Sequence, residues 1–275
     1  MLQGEEWRLI GLEAGRGDLN MAADEALLEY AAEGPPTLRI FTWSEPWLSV
    51  GCLQPISEID VSACQRAGIS IVRRASGGTA VLHESTVAYS LVVPPGHPLA
   101  VSDIVESYRI LAPPAQLALK RIGISAELVR LDEAHRGRPH GFGSAACFAA
   151  LSPYELIVGS RKLVGNSQLR RRGAILHHAV VMLDFNPGRF AGFLKTSSLD
   201  EVRKLSALLD VRIGSLGGVL SREVSLEEAA AAIEAGFAEA FGVRLVASPL
   251  TPQEARRVRE LVAEKYANDS WTYRR

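Results

Sequence analysis

The sequence holds only three cysteines, Cys52, Cys64 and Cys147, at wide spacings and with no C-x-x-C pair. That excludes a zinc ribbon and a disulfide framework, and reduced thiols fit a cytoplasmic setting. No run of apolar residues approaches the roughly 20 needed to cross a bilayer. Met1 to Glu6 is polar and acidic, without the basic start and apolar core of a secretory signal. No Gly-Lys-Ser/Thr phosphate loop occurs. The formal net charge is −1 over 275 residues, so no whole-molecule field gathers nucleic acid or a membrane surface.

What is present is ordinary for a soluble enzyme: 47% hydrophobic and 22% charged residues. Leu19, Ala22, Ala23, Ala26, Leu27 and Tyr30 recur at helical spacing, with Asp18 to cap the helix and Gly34 to end it. Leu38 to Trp43 and Leu48 to Val50 read as short strands. A short helix over residues 57–67 and a strand over 69–72 follow. Thr86 to Val93 is rich in β-branched and aromatic residues and reads as a strand. Ser102 caps a further helix that Pro113-Pro114 splits or kinks. Residues 132–145, poor in apolar side chains, read as a mobile surface loop just before Cys147. Tyr154 to Val158 and Lys162 to Gln168 form a hairpin about Gly159-Ser160, and 174–183 is another strand. Helices are expected over 226–241 and 252–266. Strands and helices mix without βαβ alternation, which argues for an α+β fold. One domain over 1–275 is the expectation, with 226–275 as its helical C-terminal portion.

Four features carry chemistry. The stretch Arg73-Arg74-Ala75-Ser76-Gly77-Gly78, reaching to His83, puts a glycine pair where backbone can approach a ligand, and Arg74 suits a carboxylate or phosphate. Cys147 and Lys162 pair a thiol with an amine, a combination that favours thiolate and hence acyl transfer. His177-His178 lies in an apolar strand, so its two rings point to opposite faces, and no carboxylate or cysteine partners suggest a metal. Arg170-Arg171-Arg172 is either a solvated hairpin end or a dock for an acidic protein.

Taken in order, these motifs resemble the lipoate and octanoate attachment enzymes, a group similar in fold to biotin protein ligase. The resemblance runs from Asn20-Met21-Ala22-Ala23-Asp24-Glu25 through Leu38–Trp43, Ser49-Val50-Gly51 and Gln54. It continues through Arg73-Arg74 with Ser76-Gly77-Gly78 and His83. Lys162-Leu163-Val164-Gly165-Asn166-Ser167-Gln168 with Gly173–His178 follows, and Lys265-Tyr266 and Trp271 complete it. It implies a mixed, mostly antiparallel sheet flanked by helices. Within that group, Ala146-Cys147-Phe148 ahead of Tyr154-Glu155-Leu156 is similar to the nucleophile segment of Gram-positive type octanoyltransferases, although Phe148-Ala149-Ala150 lacks the acidic residue expected there.

The resemblance implies Cys147 and Lys162 as catalytic residues. Arg74, Ser76, Gly77, Gly78, His83, Gly165, Asn166, Ser167 and His177 are implied to bind substrate. It further implies octanoyl-acyl carrier protein as donor, no cofactor, and lipoyl-domain acceptors such as the glycine cleavage H protein. No nucleic acid or membrane partner is expected. The alternative is an ATP- and magnesium-dependent lipoate ligase for which Cys147 is dispensable. A degenerate homologue that only binds its partners is a third possibility, which the joint presence of Cys147 and Lys162 argues against.

Overall fold

The computed structural model describes residues 2–131 and 151–275. The sequence expectations for 132–145 and for Cys147 lie outside those residues. In chain order the strands are β1 (Glu6–Gly15), β2 (Thr37–Trp43), β3 (Trp47–Val50), β4 (Ser70–Arg73), β5 (Val81–His83), β6 (Thr86–Val93), β7 (Glu127–Leu128), β8 (Leu156–Val158), β9 (Arg161–Arg171), β10 (Ala174–Met182) and β11 (Arg244–Ala247). The helices are α1 (Gly17–Glu29), α2 (Val61–Arg66), α3 (Ile104–Leu111), α4 (Pro113–Arg121), α5 (Pro187–Ala191), α6 (Leu199–Arg212), α7 (Leu216–Leu220), α8 (Leu226–Phe241), α9 (Pro252–Leu261) and α10 (Asp269–Thr272).

Eight strands form the main sheet in the order β11-β1-β2-β6-β10-β9-β8-β7, and β4-β3-β5 form a second, smaller sheet. Only the β11–β1 and β1–β2 pairs of the main sheet are parallel, so the sheet is mixed and mostly antiparallel, as expected. The parallel β1–β2 pair needs a crossover, and α1 supplies it.

Of three apolar clusters, the two largest lie on opposite faces of the main sheet. Ile175, Ala179 and Val181 of β10 join Ala115, Ala118 and Leu119 of α4 and Ile233 and Phe237 of α8. Val180 and Met182 join Met21, Ala22 and Ala26 of α1 and Leu48, Val50, Val72 and Val81 of the small sheet. The period-two alternation of β10 thus feeds both cores, which is why all nine of its residues are buried. α8 lies close against α4 because Gly236 faces the Pro114 carbonyl, where a Cβ would collide. Burying an aromatic such as Phe237, 0% exposed, contributes ~1.5–3 kcal/mol.

A buried polar network ties α1 to the sheet. Arg39 donates to Asp24 at 3.0 Å and to the Asn20 side chain at 2.7 Å. Ser90 donates to Asp24 at 2.8 Å, and His178 Nδ1 lies 3.0 Å from the same carboxylate. Burial alone pushes the Asp24 carboxyl up; the His178 hydrogen bond, the Arg39 charge and Ser90 outweigh that and hold it below its ordinary value. One position over, Glu25 takes Lys265 at 2.6 Å, the Tyr266 hydroxyl, and Arg171 at 2.9 Å. The tail residues Lys265-Tyr266 therefore dock on the opening helix.

Several boundaries move. Arg16, not Asp18, occupies the N-cap of α1, and Tyr30 ends it ahead of a 3₁₀ turn, Ala31–Glu33. Asp18 is in the first turn, bonded to the Leu19 amide and Arg16. Asp103 rather than Ser102 caps α3, since its carboxylate accepts from the Glu106 N–H. The helix expected over 57–67 is a 3₁₀ turn followed by α2, capped by Asp60. Pro113 does split the next helix, starting α4 right after α3. β1, β11 and the helices α5 to α7 were not anticipated.

Candidate functional site

β8 and β9 pair out of step. Leu156 lies opposite Val164 and Ile157 opposite Lys162, so Leu163 is skipped. Consecutive residues of β8 face opposite sides, and so do their partners. Leu156, Leu163 and Val164 all bury on the α4–α8 side. Lys162 is therefore turned to the other side, that of α1 and the small sheet. Bulges commonly re-aim a side chain in this way. Gly165 and Ser167, opposite Val180 and His178, face the same side as Lys162; Asn166 and Gln168, opposite Ala179 and His177, face away.

On the Lys162 side the chain builds a polar niche from the glycine loop after β4. Ser76 and Ser167 share a hydrogen bond of 2.9 Å between their hydroxyls, closing the loop onto β9. A Cβ at Gly51 would overlap the Gly78 carbonyl, so the close approach of the two loops requires glycine there. Gly78 itself has φ +90°, backbone that glycine adopts without strain. β8 stops pairing with β9 at Val164, so from Gly165 onward the outer edge of β9 has no ladder partner among the described strands. The Ser76–Ser167 pair and Lys162 thus lie on the same side of β9.

Arg74 reaches back rather than outward. Its Nε and Nη2 donate to the Gly77 carbonyl at 3.1 and 2.8 Å. Nη2 also reaches the Thr79 carbonyl at 2.8 Å, and Nη1 the Ser49 carbonyl and hydroxyl at 3.2 and 3.1 Å. Those bonds engage all five of its N–H groups, so the arginine offered by sequence to a carboxylate or phosphate holds the glycine loop in shape instead. Burial pulls its pKa down to about 10, and it remains charged at neutral pH. Arg73 has a similar part: Nη1 donates to the Gly51 and Gln54 carbonyls at 2.7 and 2.6 Å, and Nε to the Thr272 carbonyl at 2.9 Å.

His83 sits under this loop. Its Nε2 is 2.8 Å from the Ser49 hydroxyl, Nδ1 is 3.4 Å from the Thr86 hydroxyl, and its ring stacks on Trp43 at 3.9 Å. Ser49 also accepts from Arg74, so the ring, that hydroxyl and the guanidinium form one buried hydrogen-bonded chain. Burial, then the nearby His178 and Arg74, push the His83 pKa well below its ordinary value, so the ring is neutral.

His177 is on the opposite face, 3.4 Å from Gln168 and packed against Tyr89 and Tyr108. Burial first, and His178 second, lower its pKa to about 3. Of the residues expected to bind substrate, then, Ser76, Gly77, Gly78, Gly165 and Ser167 share the niche with Lys162. Arg74 and His83 brace it from behind. Asn166 and His177 are separated from it by the sheet. Cys147 lies outside the described residues.

Among the described residues, Lys162 pairs with one that the sequence did not single out. Nζ lies 3.2 Å from Glu155 Oε1, both side chains no more than 6% exposed. Glu155 Oε2 accepts from the Ser152 N–H at 2.8 Å. Burial raises the Glu155 pKa against the opposing pull of Lys162. The available signal was a lone acid, Glu155, ahead of the apolar Leu156-Ile157-Val158. Among the described residues no cluster of metal-ligating side chains occurs, and no helix is long and apolar enough to cross a membrane. The basic hairpin is largely tied down: Arg170 donates to the Val101 and Ser102 carbonyls, and Arg171 pairs with Glu25 and Glu29.

Residues 17–238 match the family model described as the lipoyl protein ligase A/B catalytic domain. The chain is 38% identical to octanoyltransferase LipM of Brevibacillus brevis over 275 residues, covering 98% of this chain and 100% of the relative. It is 39% identical to octanoyltransferase LipM of Kyrpidia tusciae, again over 98% of this chain and 100% of the relative. Among solved structures, a bipartite lipoate protein ligase from Thermoplasma acidophilum superposes with a TM-score of 0.80 at 22% identity, over 99% of this chain and 97% of that one. Lipoate-protein ligase A bound with ATP gives 0.77 at 22%, over 98% of both chains. At such identities these structures speak for the fold alone.

Proposed function

Because the chain belongs to the lipoyl protein ligase A/B catalytic-domain family, we propose that it is an octanoyltransferase acting on lipoyl domains. It takes octanoate from octanoyl-acyl carrier protein through a thioester on Cys147. The observation that carries this reading is end-to-end similarity to octanoyltransferases, 38% over 98% of this chain and 100% of the relative. Lys162 and the glycine loop, on the same side of β9, support this reading.

The Cys147 thiolate attacks the donor thioester. The acyl C–S bond to the carrier's phosphopantetheine breaks, and a new one forms to Cys147. The ε-amine of the lipoyl-domain lysine then attacks the acyl-enzyme, giving an amide and releasing Cys147. A thioester-to-thioester exchange is near thermoneutral and thioester to amide runs downhill, so the route needs no ATP. Lys162 favours thiolate in the first step and receives a proton from the incoming ammonium in the second. Backbone N–H groups of Gly165 to Ser167, on an edge without a ladder partner among the described strands, are the oxyanion donors of this reading. The octanoyl chain binds by burial of its methylenes, each contributing ~0.8 kcal/mol. Glycine cleavage H protein is the acceptor this reading favours, in the cytoplasm.

The test is modification of a lipoyl domain with two donors. Octanoyl transfer from octanoyl-acyl carrier protein without ATP supports the reading. Modification only from free octanoate or lipoate with ATP and magnesium places the chain with the ligases instead.

A further inference from the structure

We propose that Glu155 is a positioning residue of the transfer reaction: it fixes Lys162 toward the substrate side of the sheet and accepts the proton that Lys162 must shed before it can take one from the acceptor amine. The inference rests on the reading of Lys162 as the proton acceptor of the second step.

The geometry begins with the skipped residue in β9. Were Leu163 paired in regular register, Lys162 would share the Val164 face toward the α4–α8 core; because it is skipped, Nζ meets Glu155 Oε1 at 3.2 Å. The other carboxylate oxygen is held by the Ser152 N–H at 2.8 Å, so the acid is clamped at both oxygens. A buried ion pair is a poor source of stability, since desolvating two charges offsets most of their attraction, and a well-packed apolar pair commonly serves as well. Placing one at the start of a strand that is otherwise apolar, beside a bulge that turns the lysine, is better accounted for by chemistry than by packing.

The proton inventory gives the pair its use. An acceptor ammonium loses two protons in becoming an amide N–H. As the C–N bond forms and the acyl C–S bond breaks, one proton goes to the leaving Cys147 sulfur. The other needs a base. A lysine ammonium is no base until one of its protons moves to another group, and the Glu155 carboxylate is at hydrogen-bond distance to take it. The pair then stands as amine and carboxylic acid with no change in net charge, and the amine takes the proton from the acceptor. At the end the pair carries one extra proton, Lys162 as ammonium and Glu155 as acid, and releases it to solvent. Burial prepares Glu155 for this by raising its pKa. Among the described residues, the other titratable group whose field involves Glu155 is Tyr108 of α3; burial, and Glu155 after it, push that phenol up to about 12, so it stays neutral throughout.

The test separates the two half-reactions in Glu155→Gln and Glu155→Asp. Acyl-enzyme formation is followed by intact mass with octanoyl-acyl carrier protein, and release to glycine cleavage H protein in a single turnover, with thermal melts as the folding control. Gln keeps the shape and loses the charge, whereas Asp keeps the charge and shortens the reach. The expected result is that both variants still acylate, slowed less than they are in release, that Gln slows release by at least about tenfold, and that Asp releases faster than Gln. Release by Gln at the wild-type rate, or faster than by Asp, overturns the proposal, because a merely structural carboxylate is better replaced by its isostere. Should Gln not fold, Asp decides alone: release slowed more than acylation supports the role, and unchanged release removes it. A wild-type enzyme that never acylates defeats the octanoyltransferase reading as well, whereas normal acylation with Gln releasing normally defeats only the part given to Glu155.

Discussion

Lys162 and Val164 are two residues apart on one strand yet face opposite sides of the sheet, because Leu163 is skipped in the pairing with β8. An uninterrupted strand would place them on the same face. Function at this site therefore depends on register as much as on residue identity. Deleting Leu163 removes the bulge and leaves Lys162 next to Val164, opposite Ile157 and still on the α1 side. Octanoyl release should then stay well above the level of Lys162→Ala, while the melting temperature falls because a fully buried leucine is lost. Transfer assays and thermal melts on the two variants check this.

The Ser76–Ser167 hydrogen bond couples the glycine loop to β9. Its loss is expected to cost about 0.5–1.5 kcal/mol, or roughly two- to tenfold in transfer efficiency. Ser76→Ala and Ser167→Ala should each show this, and the double variant should be little worse than either single one, because the same bond is lost in all three. Additive losses in kcat/KM would show that the serines act separately.

Gly51→Ala places a methyl group against the Gly78 carbonyl, backbone that cannot swing aside as a side chain does. The loop must shift, and a loss of about 1–3 kcal/mol in stability is expected, together with a raised KM for the acyl donor. Gly77→Ala, whose Cβ would meet nothing within 4 Å, is the control and should leave the melting temperature nearly unchanged.

Burial sets a pH dependence through His177. Its folded pKa of about 3 lies below the ordinary value of 6.5, so below pH 6.5 the unfolded chain binds a proton that the native one does not. Stability is then full above pH 6.5 and is lost as pH falls, down to about pH 3. Between pH 7 and 5 this one group is expected to remove ~2 kcal/mol. His83 acts in the same direction. Urea unfolding of wild type and His177→Gln at pH 7 and 5 measures it: the variant should lose less stability on acidification. An equal loss in both would assign the pH dependence elsewhere.

Much of this molecule was legible in its sequence. Thr86–Val93 and Leu226–Phe241 have the same limits in the structure as in the pattern, because dense β-branched residues and an Ala-rich run are strong local signals. Pro113 was equally direct. β1 and β11 were missed because their pairing is parallel and spans most of the chain: Glu6 lies opposite Arg244, and no local periodicity announces that. The site was half legible. Residue types named Lys162 and the glycine loop. The direction of Lys162 depends on how β8 pairs with β9, and the commitment of all five Arg74 donors depends on Ser49, Gly77 and Thr79 folding around it. Alternation alone put His177 and His178 on opposite faces, as found; it did not say that His178 would join Asp24 and Arg39 in a network that holds α1 to the sheet.

The central claim is a covalent octanoyl-enzyme on Cys147, and intact-protein mass spectrometry after mixing with octanoyl-acyl carrier protein, without ATP, tests it most directly. The account predicts a single octanoyl adduct that persists in Cys52→Ser and Cys64→Ser, vanishes in Cys147→Ala, and is discharged when a lipoyl domain is added. An adduct that survives Cys147→Ala, or full transfer activity in that variant, would contradict it.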